Sequence, residues 1–190
     1  DLAGSKYSPL DQINASNFSK LEVAWRFKTD NLGPRPENKL EGTPIMVKGT
    51  VYATAGTRRA VVALNAATGE MKWMYALDEG ERATRWAPRQ LSGRGLSYWT
   101  DGRGDERIFY VTTGYRMKAL NAKTGQLIAG FGDAGVVDLK KDFDQDLSRF
   151  ARNGEDALTM ADIGLHASPV IGRDTIVVGA AGREGTTPYR

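Results

Sequence analysis

Short apolar segments alternate with turn residues along much of this chain, and each segment has the length of a β-strand. Four of them follow one another in the first half of the sequence: Thr43–Val47, Thr50–Thr54, Ala60–Leu64 and Met71–Tyr75. They are rich in β-branched and aromatic side chains, which favour strands over helices. Lys48-Gly49 and Asn65–Gly69 separate them with turn chemistry, in which glycine supplies the positive φ of a tight turn. The pattern predicts antiparallel strands joined by hairpins.

Part of this unit occurs a second time. Val62–Glu70 recurs 56 residues later as Lys118–Gln126, and both copies contain Ala-Leu-Asn-Ala, a variable residue and Thr-Gly. The second copy is again surrounded by strand-like segments: Gly95–Trp99, Arg107–Val111, Met117–Leu120 and Leu127–Ala129. A third unit opens with Ser168–Ile171 and Thr175–Val178. Because repeated units bury their cores against one another, we predict an all-β chain with two four-stranded blades and part of a third blade of a β-propeller.

One stretch, from Gly135 to Leu165, breaks the strand pattern because it is polar and charged. We expect a surface insertion there, with a short helix over residues 142–152. Its spaced aspartates resemble the start of a calcium loop but lack the glycine and the closing glutamate that such a loop requires. We therefore expect one partial propeller domain over residues 1–190, with blade units at about 40–78, 94–131 and 166–190 and the insertion at about 135–165.

Composition excludes several classes of site and partner. The sequence has no cysteine, so it holds neither a disulfide nor a thiolate metal site. Its 26 basic and 23 acidic residues give a net charge of +3. The basic residues are scattered along the chain, which predicts no nucleic-acid partner. No apolar run approaches the roughly 20 residues that span a bilayer.

The repeat and the start of the chain resemble a known family. Ala63–Trp73 is similar to the tryptophan-docking repeat of the pyrroloquinoline-quinone (PQQ) dehydrogenases, in which Ala-Leu-Asp-Ala, a variable residue and Thr-Gly precede a tryptophan. Gly4–Asn14 and Leu21–Trp25 resemble the start of the mature propeller in that family, and Glu41-Gly42-Thr43-Pro44 makes the match more specific. The resemblance implies an eight-bladed propeller that binds PQQ near its axis, over a calcium ion, and oxidises sugars or alcohols in the periplasm.

The resemblance implies two cofactor contacts in the first two units. Glu41, in Glu-x-x-Pro at the start of a strand, matches a family glutamate that contacts the quinone. Arg94, in Ser-Gly-Arg-Gly, matches the arginine beside the quinone's oxygens. A guanidinium suits that role because its fixed fork holds a pair of oxygens and keeps its charge. Without the resemblance, Glu41 reads as an exposed carboxylate at a strand end and Arg94 as a surface turn residue.

Three further positions match family site residues in the third unit. Glu184, in Gly179–Gly185, matches the glutamate that ligates calcium, and a carboxylate suits a hard cation. Ala181 stands in the same glycine-rich loop, where the resemblance implies contact with the cofactor. His166 falls where the family often has a threonine near the quinone. As the single histidine of the chain, it is alternatively a structural residue.

Departures from the family pattern narrow the expected substrate. Ala87–Leu91 has no cysteine where many alcohol-oxidising members carry a vicinal disulfide, and Ala180 and Ala181 replace loop serines. Both features favour the glucose or polyol branch of the family. Ala129 stands where the second repeat would have its docking tryptophan, so we expect Phe131 to fill that space with a weaker blade contact.

The resemblance therefore implies a PQQ-dependent oxidoreductase that acts on CH–OH groups, with PQQ and calcium as cofactors and a sugar or alcohol as substrate. The family's catalytic aspartate lies in a later blade, beyond Arg190, so no catalytic residue is assigned in this chain and the isolated chain should be inactive. The expected electron acceptor is a membrane quinone or a cytochrome. The expected compartment is the periplasm, with attachment to the inner membrane through a segment outside this chain.

Two alternatives stay open. A non-catalytic PQQ-like propeller that acts as a scaffold for protein assembly at the outer membrane shares the repeat, but it has no reason to keep Glu41, Arg94 and Glu184 together. A general sugar-binding or peptide-binding propeller has only the fold in its favour.

Overall fold

The computed structural model describes residues 10–34, 41–84, 95–141, 163–165 and 167–182. Its regular structure is almost entirely β-strand, which confirms the predicted all-β fold class. The helices in these ranges are one 3-10 turn, Phe18–Lys20, and one four-residue α-helix, α1, Glu81–Thr84. Within the same ranges, no helix is long and apolar enough to cross a membrane.

The first four-stranded sheet is the predicted first blade. It comprises β1 (Ile45–Val47), β2 (Thr50–Ala55), β3 (Ala60–Asn65) and β4 (Met71–Tyr75). The strands pair antiparallel in sequence order, so neighbouring strands are joined directly by hairpin turns. β3 is buried along nearly its whole length. Burial on both faces explains why this segment is uniformly apolar and does not alternate with polar residues.

The second four-stranded sheet repeats this arrangement. It comprises β5 (Ser97–Thr100), β6 (Glu106–Val111), β7 (Arg116–Asn121) and β8 (Val136–Asp138). The strands again pair antiparallel in sequence order. The first three strands lie where the sequence predicts them, so the second copy of the repeat also forms a blade.

The fourth strand of this second sheet differs from the prediction. We expected it at Leu127–Ala129, but the first residue of that segment makes only a single bridge to Leu120. Left-handed backbone at Gly132 (φ 55°) and Gly135 (φ 94°) then turns the chain back, so that β8 pairs with the first half of β7. The residues just after Gly135 therefore belong to the blade and not to an insertion. The helix expected over residues 142–152 lies outside the described residues.

The third unit begins as predicted. β10 (Val170–Gly172) and β11 (Thr175–Val177) form an antiparallel hairpin. A second pair, which the sequence pattern did not predict, joins β9 (Ile163–Gly164) to β12 (Ala181–Gly182). This second pair brings the glycine-rich segment that follows β11 back beside the residues that precede the hairpin.

β6 lies between two apolar layers. Ile108 and Tyr110 are buried in one cluster with Val61 of the first blade. The alternate residue Phe109 is buried in a second cluster, against which Ile176 of the third unit packs. Since successive side chains of a strand point to opposite faces of a sheet, the second blade is covered by one neighbouring unit on each face. This face-to-face stacking of antiparallel sheets is the architecture of a propeller.

A tryptophan joins the first blade to the second. Trp73 of β4 donates its Nε1–H to the carbonyl oxygen of Ala122 at 3.0 Å. Its ring occupies the space that a side chain on Gly125 would need, since an added Cβ there would lie 2.5 Å from ring atom Cε3. The ring also packs against Tyr52, with centroids 5.9 Å apart. The docking repeat predicts a Trp73 that is buried between neighbouring blades; the ring does lie between the first two blades, but it is only partly buried there.

Trp25 in the preceding unit docks as Trp73 does, whereas Phe131 in the following unit does not. Trp25 repeats the contacts one unit earlier: it donates to the carbonyl oxygen of Ala66 at 3.0 Å, and its ring covers Gly69. Sequence reasoning missed this role, although a tryptophan upstream of each copy of the repeat was a usable signal. Phe131, expected to replace the missing later tryptophan, packs edge-on against Phe109 in its own blade, with ring centroids 5.2 Å apart.

The two repeat turns are built alike. Asn65 Oδ1 accepts the backbone amides two and three residues further on, at 2.9 and 3.3 Å. Asn121 Oδ1 does the same at 2.9 and 3.1 Å. Both turns close with a left-handed glycine, Gly69 or Gly125, each at φ 73°. The repeated sequence therefore encodes an Asx turn that needs no distant partner.

Candidate functional site

The residues that lead into three successive units meet at one point. Thr43, just before β1, forms a parallel bridge with Gly95, just before β5. A Cβ added to Gly95 would lie 2.5 Å from Ser168 Oγ and 3.3 Å from the Thr43 carbonyl oxygen. Gly95 also has a left-handed φ of 113°, so the close approach and the backbone both require glycine. The innermost edges of the three units therefore converge, as edges do around a propeller axis.

Three predicted cofactor contacts are sequence neighbours of this convergence. Glu41 lies two residues before Thr43 and is half-buried. Arg94 immediately precedes Gly95, and His166 precedes Ser168 by two residues. Arg94 and His166 themselves lie outside the described residues. The structure thus places Glu41 near the meeting point, and the full set remains a prediction.

The glycine-rich segment of the third unit lies beside the residues that precede His166. Ala181 pairs with Gly164 in the β9–β12 ladder. The next residue along, Leu165, is buried at 3% exposure in the apolar cluster of the second blade. Ala181 is therefore held through its backbone next to the start of the third unit. Glu184, the predicted calcium ligand, lies outside the described residues.

Arg59 links all three units at the same end of the blades. Its guanidinium is buried, and Nη1 donates to the carbonyl oxygens of Val111 and Thr112, each at 3.4 Å. Nη2 donates to the carbonyl oxygen of Leu165 at 3.5 Å. Its sequence neighbour Arg58 instead pairs with Asp78 at 2.8 Å on the surface. Sequence reasoning missed Arg59, because nothing in the pattern distinguishes these two adjacent arginines.

A buried carboxylate organises the turn between β6 and β7. The Glu79 side chain is 2% exposed. It accepts Thr112 Oγ1–H at 2.9 Å, the Gly114 amide at 2.8 Å and Arg116 Nη1–H at 2.8 Å. The Thr113 hydroxyl adds a longer contact at 3.4 Å. This one carboxylate therefore fixes both the backbone and the side chains of the turn. The charge-assisted hydrogen bond from Arg116 offsets part of the free-energy cost of burying the Glu79 charge.

A second ion pair supports the other side of that turn. Arg82 of α1 donates from Nε to the Gly114 carbonyl oxygen at 2.7 Å. Its two Nη groups bind both carboxylate oxygens of Asp138 in β8. Burial alone would raise the pKa of Asp138, but the hydrogen bonds from Arg82 and the Lys140 amide, with the charges of Arg82 and Arg116, hold it below its ordinary value. Asp138 is thus kept as an anion that anchors α1 to the second blade.

The opposite end of the blades carries a simpler charge contact. Lys48, in the β1–β2 turn, donates to Glu106 Oε1 at 2.9 Å, and Tyr98 donates its hydroxyl to Glu106 Oε2 at 2.8 Å. The hydrogen bonds from Lys48 and Tyr98 lower the pKa of Glu106. The Lys48 side chain is 71% exposed, so this pair bridges the first two blades at the surface.

Metal-ligating side chains do not cluster in the part of the chain that the structure describes. No group of three or more His, Asp or Glu residues is arranged there to hold a metal ion. A calcium site built on Glu184 would need residues outside the described ranges, so calcium stays a prediction.

Comparison with known proteins identifies a matching protein family and several similar enzymes. The family model described as glucose/ethanol/alcohol dehydrogenase, β-propeller domain, with PQQ, matches residues 1–189. An alcohol dehydrogenase (quinone), dehydrogenase subunit, of Gluconobacter oxydans is 40% identical over 125 residues, which are 65% of this chain and 15% of that protein. A quinoprotein glucose dehydrogenase of the same organism is 33% identical over 154 residues, which are 73% of this chain and 19% of that protein.

Solved structures that resemble this chain include two dehydrogenases. A quinohemoprotein alcohol dehydrogenase of Pseudomonas putida HK5 has a TM-score of 0.68 and 27% identity, covering 93% of this chain and 21% of the other. A europium-containing methanol dehydrogenase has a TM-score of 0.65 and 26% identity, covering 93% of this chain and 25% of the other. The chain thus spans a quarter or less of each relative described here. Because the family model matches nearly every residue, the chain belongs to the β-propeller family of the PQQ-dependent glucose, ethanol and alcohol dehydrogenases.

Proposed function

We propose that the protein that carries this chain is a PQQ-dependent oxidoreductase of CH–OH groups in sugars or alcohols. The observation that carries this proposal is the convergence of Thr43, Gly95 and Ser168, because it aligns the starts of three blades around one point. Membership of the dehydrogenase family supplies the chemistry. A convergence of this kind supports the proposal because it would let several blades contribute groups to one concave site.

The residues around the convergence suit a polar, acidic cofactor. The half-buried Glu41 precedes Thr43 and can accept a hydrogen bond from the cofactor. Arg94, beside Gly95, offers a permanent charge and a fork of donors for carboxylate or ketone oxygens. His166 and Ala181 complete the proposed contacts from the third unit. When bound, PQQ supplies the two-electron redox chemistry, while the chain binds and orients it.

The proposal extends to the metal, the partners and the location. Glu184 is the proposed calcium ligand, since a carboxylate is a preferred donor to that ion. The base that removes the substrate hydroxyl proton lies beyond residue 190, in a later blade. A membrane quinone or a cytochrome accepts the electrons, and the protein works in the periplasm, attached to the inner membrane.

The proposed substrate is a sugar or polyol rather than methanol or ethanol. This preference rests on the absence of cysteine in Ala87–Leu91 and on the alanines Ala180 and Ala181. The relatives leave it open, because the alcohol dehydrogenase described above is 40% identical and the glucose dehydrogenase 33% identical. A substrate panel therefore has to include both classes.

Reconstitution tests this function. The full-length apoprotein is titrated with PQQ with and without calcium, and turnover of sugars, polyols and primary alcohols is followed with an artificial electron acceptor. We expect stoichiometric PQQ binding and calcium-dependent oxidation of a sugar or polyol. Glu184→Gln should weaken the calcium dependence, and Arg94→Lys should slow turnover because a point charge cannot replace a fork of donors.

Glu70→Gln serves as the matched control, since Glu70 is exposed at the opposite end of the first blade. It should leave PQQ binding, calcium dependence and turnover unchanged. Absence of PQQ binding, together with no turnover of any substrate, would favour the non-catalytic scaffold. Turnover restricted to primary alcohols would keep the enzyme and reject the sugar or polyol preference.

A further inference from the structure

One side chain ties the second blade to the glycine-rich segment of the third unit. Tyr115 lies in the β6–β7 turn and is 4% exposed. Its hydroxyl donates to the carbonyl oxygen of Gly179 at 3.0 Å, across 64 positions of sequence. Its backbone is left-handed, at φ 62°. That conformation costs a non-glycine residue about 1 kcal/mol, so the surrounding contacts must hold it in place.

The turn that carries Tyr115 is held by a hydrogen bond within the turn and by the Glu79 carboxylate. The Tyr115 amide donates to the Thr112 carbonyl oxygen at 3.1 Å, which closes the turn. Glu79 binds the turn's backbone at Gly114, where a Cβ would lie 2.8 Å from the Glu79 carboxylate oxygen Oε2. The left-handed tyrosine therefore starts from an anchored backbone, and its hydroxyl reaches Gly179 from a defined position.

The other end of this link is close to a proposed cofactor contact. Gly179 lies two residues before Ala181, which pairs with Gly164 in the β9–β12 ladder. The Tyr115 ring belongs to the same apolar cluster as Leu165. The Tyr115 side chain thus bonds through its hydroxyl to the segment just before β12, and its ring lies in the same apolar cluster as the residue that follows β9.

We propose that Tyr115 is a positioning residue for the glycine-rich segment 179–182 and, through Ala181, for the bound cofactor. This inference rests on the proposed function, because it assumes that Ala181 contacts PQQ. The proposed role is indirect, since it acts through the Gly179 carbonyl and needs no contact between Tyr115 and the cofactor. Tyr115 fixes the carbonyl of Gly179, so the segment is ordered before the cofactor arrives. Pre-ordering raises affinity because less conformational entropy is lost on binding.

The test uses two Tyr→Phe variants of the full-length protein, each of which removes one hydroxyl. Tyr115→Phe breaks the bond to Gly179, and Tyr98→Phe breaks the bond to Glu106 at the opposite end of the blades. Amide hydrogen exchange of residues 179–182 is measured in the apoprotein. The dissociation constant of PQQ is then measured with saturating calcium by fluorescence titration.

For Tyr115→Phe we expect exchange at residues 179–182 and the PQQ dissociation constant each to rise about tenfold, the size of one lost hydrogen bond. Tyr98→Phe should change neither. Unchanged exchange and affinity in Tyr115→Phe would overturn the inference, and so would an equal rise of exchange throughout the second blade, which would mean a general structural role. If the wild type does not bind PQQ, the proposed function fails, while local exchange still decides whether Tyr115 orders the segment.

Discussion

The two ends of the blades are built in different ways. At one end, the Asn65–Gly69 and Asn121–Gly125 turns have nearly the same sequence, the same internal hydrogen bonds and the same tryptophan cover. At the other end, the turn after β2 contains Arg59 and the turn after β6 contains Tyr115, and their contacts are made by residues from other units. The first end is encoded locally and can be repeated. The second is assembled from distant parts, as a specific site requires.

A turn that is repeated in every blade and a turn that forms part of a specific site need different kinds of stabilising contact. A turn that closes on its own asparagine can recur in every unit without adjustment. A turn fixed by Glu79 depends on a residue more than 30 positions away, since the contact with Thr112 spans 33 positions and that with Arg116 spans 37. Such a turn can differ from blade to blade, and this difference is what allows the blades to contribute different groups to one site.

The largest effect should come from removing the distant carboxylate. Glu79→Ala removes the acceptor of the Gly114 amide, the threonine hydroxyls and Arg116 Nη1, and leaves Arg116 only its longer ion pair with Asp138 at 3.8 Å. We expect about 4 kcal/mol less stability, the usual cost of breaking a buried ion pair. Glu70→Ala, an exposed carboxylate at the locally encoded end, should change stability by less than about 0.5 kcal/mol. Denaturant unfolding of the full-length variants measures both. An equally small loss of unfolding free energy in both variants would contradict the proposed difference between the two ends of the blades.

A pair of glycines separates backbone strain from tryptophan docking. Gly125 and Gly49 have the same φ of 73°, but a Cβ on Gly125 would strike Trp73, whereas a Cβ on Gly49 would have no atom within 4 Å. We expect Gly49→Ala to cost about 1 kcal/mol for the left-handed backbone. Gly125→Ala should cost about 3 kcal/mol, because overpacking adds to that strain. The quenching of tryptophan fluorescence should change only in Gly125→Ala. A similar cost for both variants would mean that docking contributes little.

The smallest effect concerns the Lys48–Glu106 ion pair at the locally encoded end. The hydrogen bonds from Lys48 and Tyr98 lower the pKa of Glu106 below its usual value of 4.5. The unfolded chain therefore binds more protons than the native state as pH falls through this range, and the stabilisation present above pH 4.5 is lost as the pH drops toward the native pKa. Glu106→Gln should show a shallower fall of stability between about pH 5 and pH 3 than the wild type. Chemical unfolding at several pH values tests this, and identical slopes would show that the surface pair does not stabilise the fold.

The same contrast explains what the sequence could predict. The pattern of apolar segments and turn residues located the Asn65 and Asn121 turns, β1 to β4 and β5 to β7, because each depends on local sequence. The docking of Trp73 followed from the family resemblance of the repeat, since its partner Ala122 is 49 residues away. The fourth strand of the second blade was misplaced, since the left-handed residues Gly132 and Gly135 carry it seven residues or more beyond the expected segment. The contacts of Glu79 and Tyr115 had no local signal, because their partners are distant in sequence. Of the predicted site, Glu41 and the backbone of Ala181 fall within the described residues.

Tryptophan docking also has a direction, and this direction matters while the chain is being made. Trp25 binds a carbonyl 41 residues later, and Trp73 binds one 49 residues later. During translation each of these two indoles emerges before the turn that receives it, so the Asn65–Gly69 and Asn121–Gly125 turns form when their tryptophans have already been synthesised. Domains form from the N-terminus during synthesis, and closing a loop of this length costs little more than closing a shorter one. The first two blades can therefore form one after the other, each docking a tryptophan ring that was synthesised some seconds earlier.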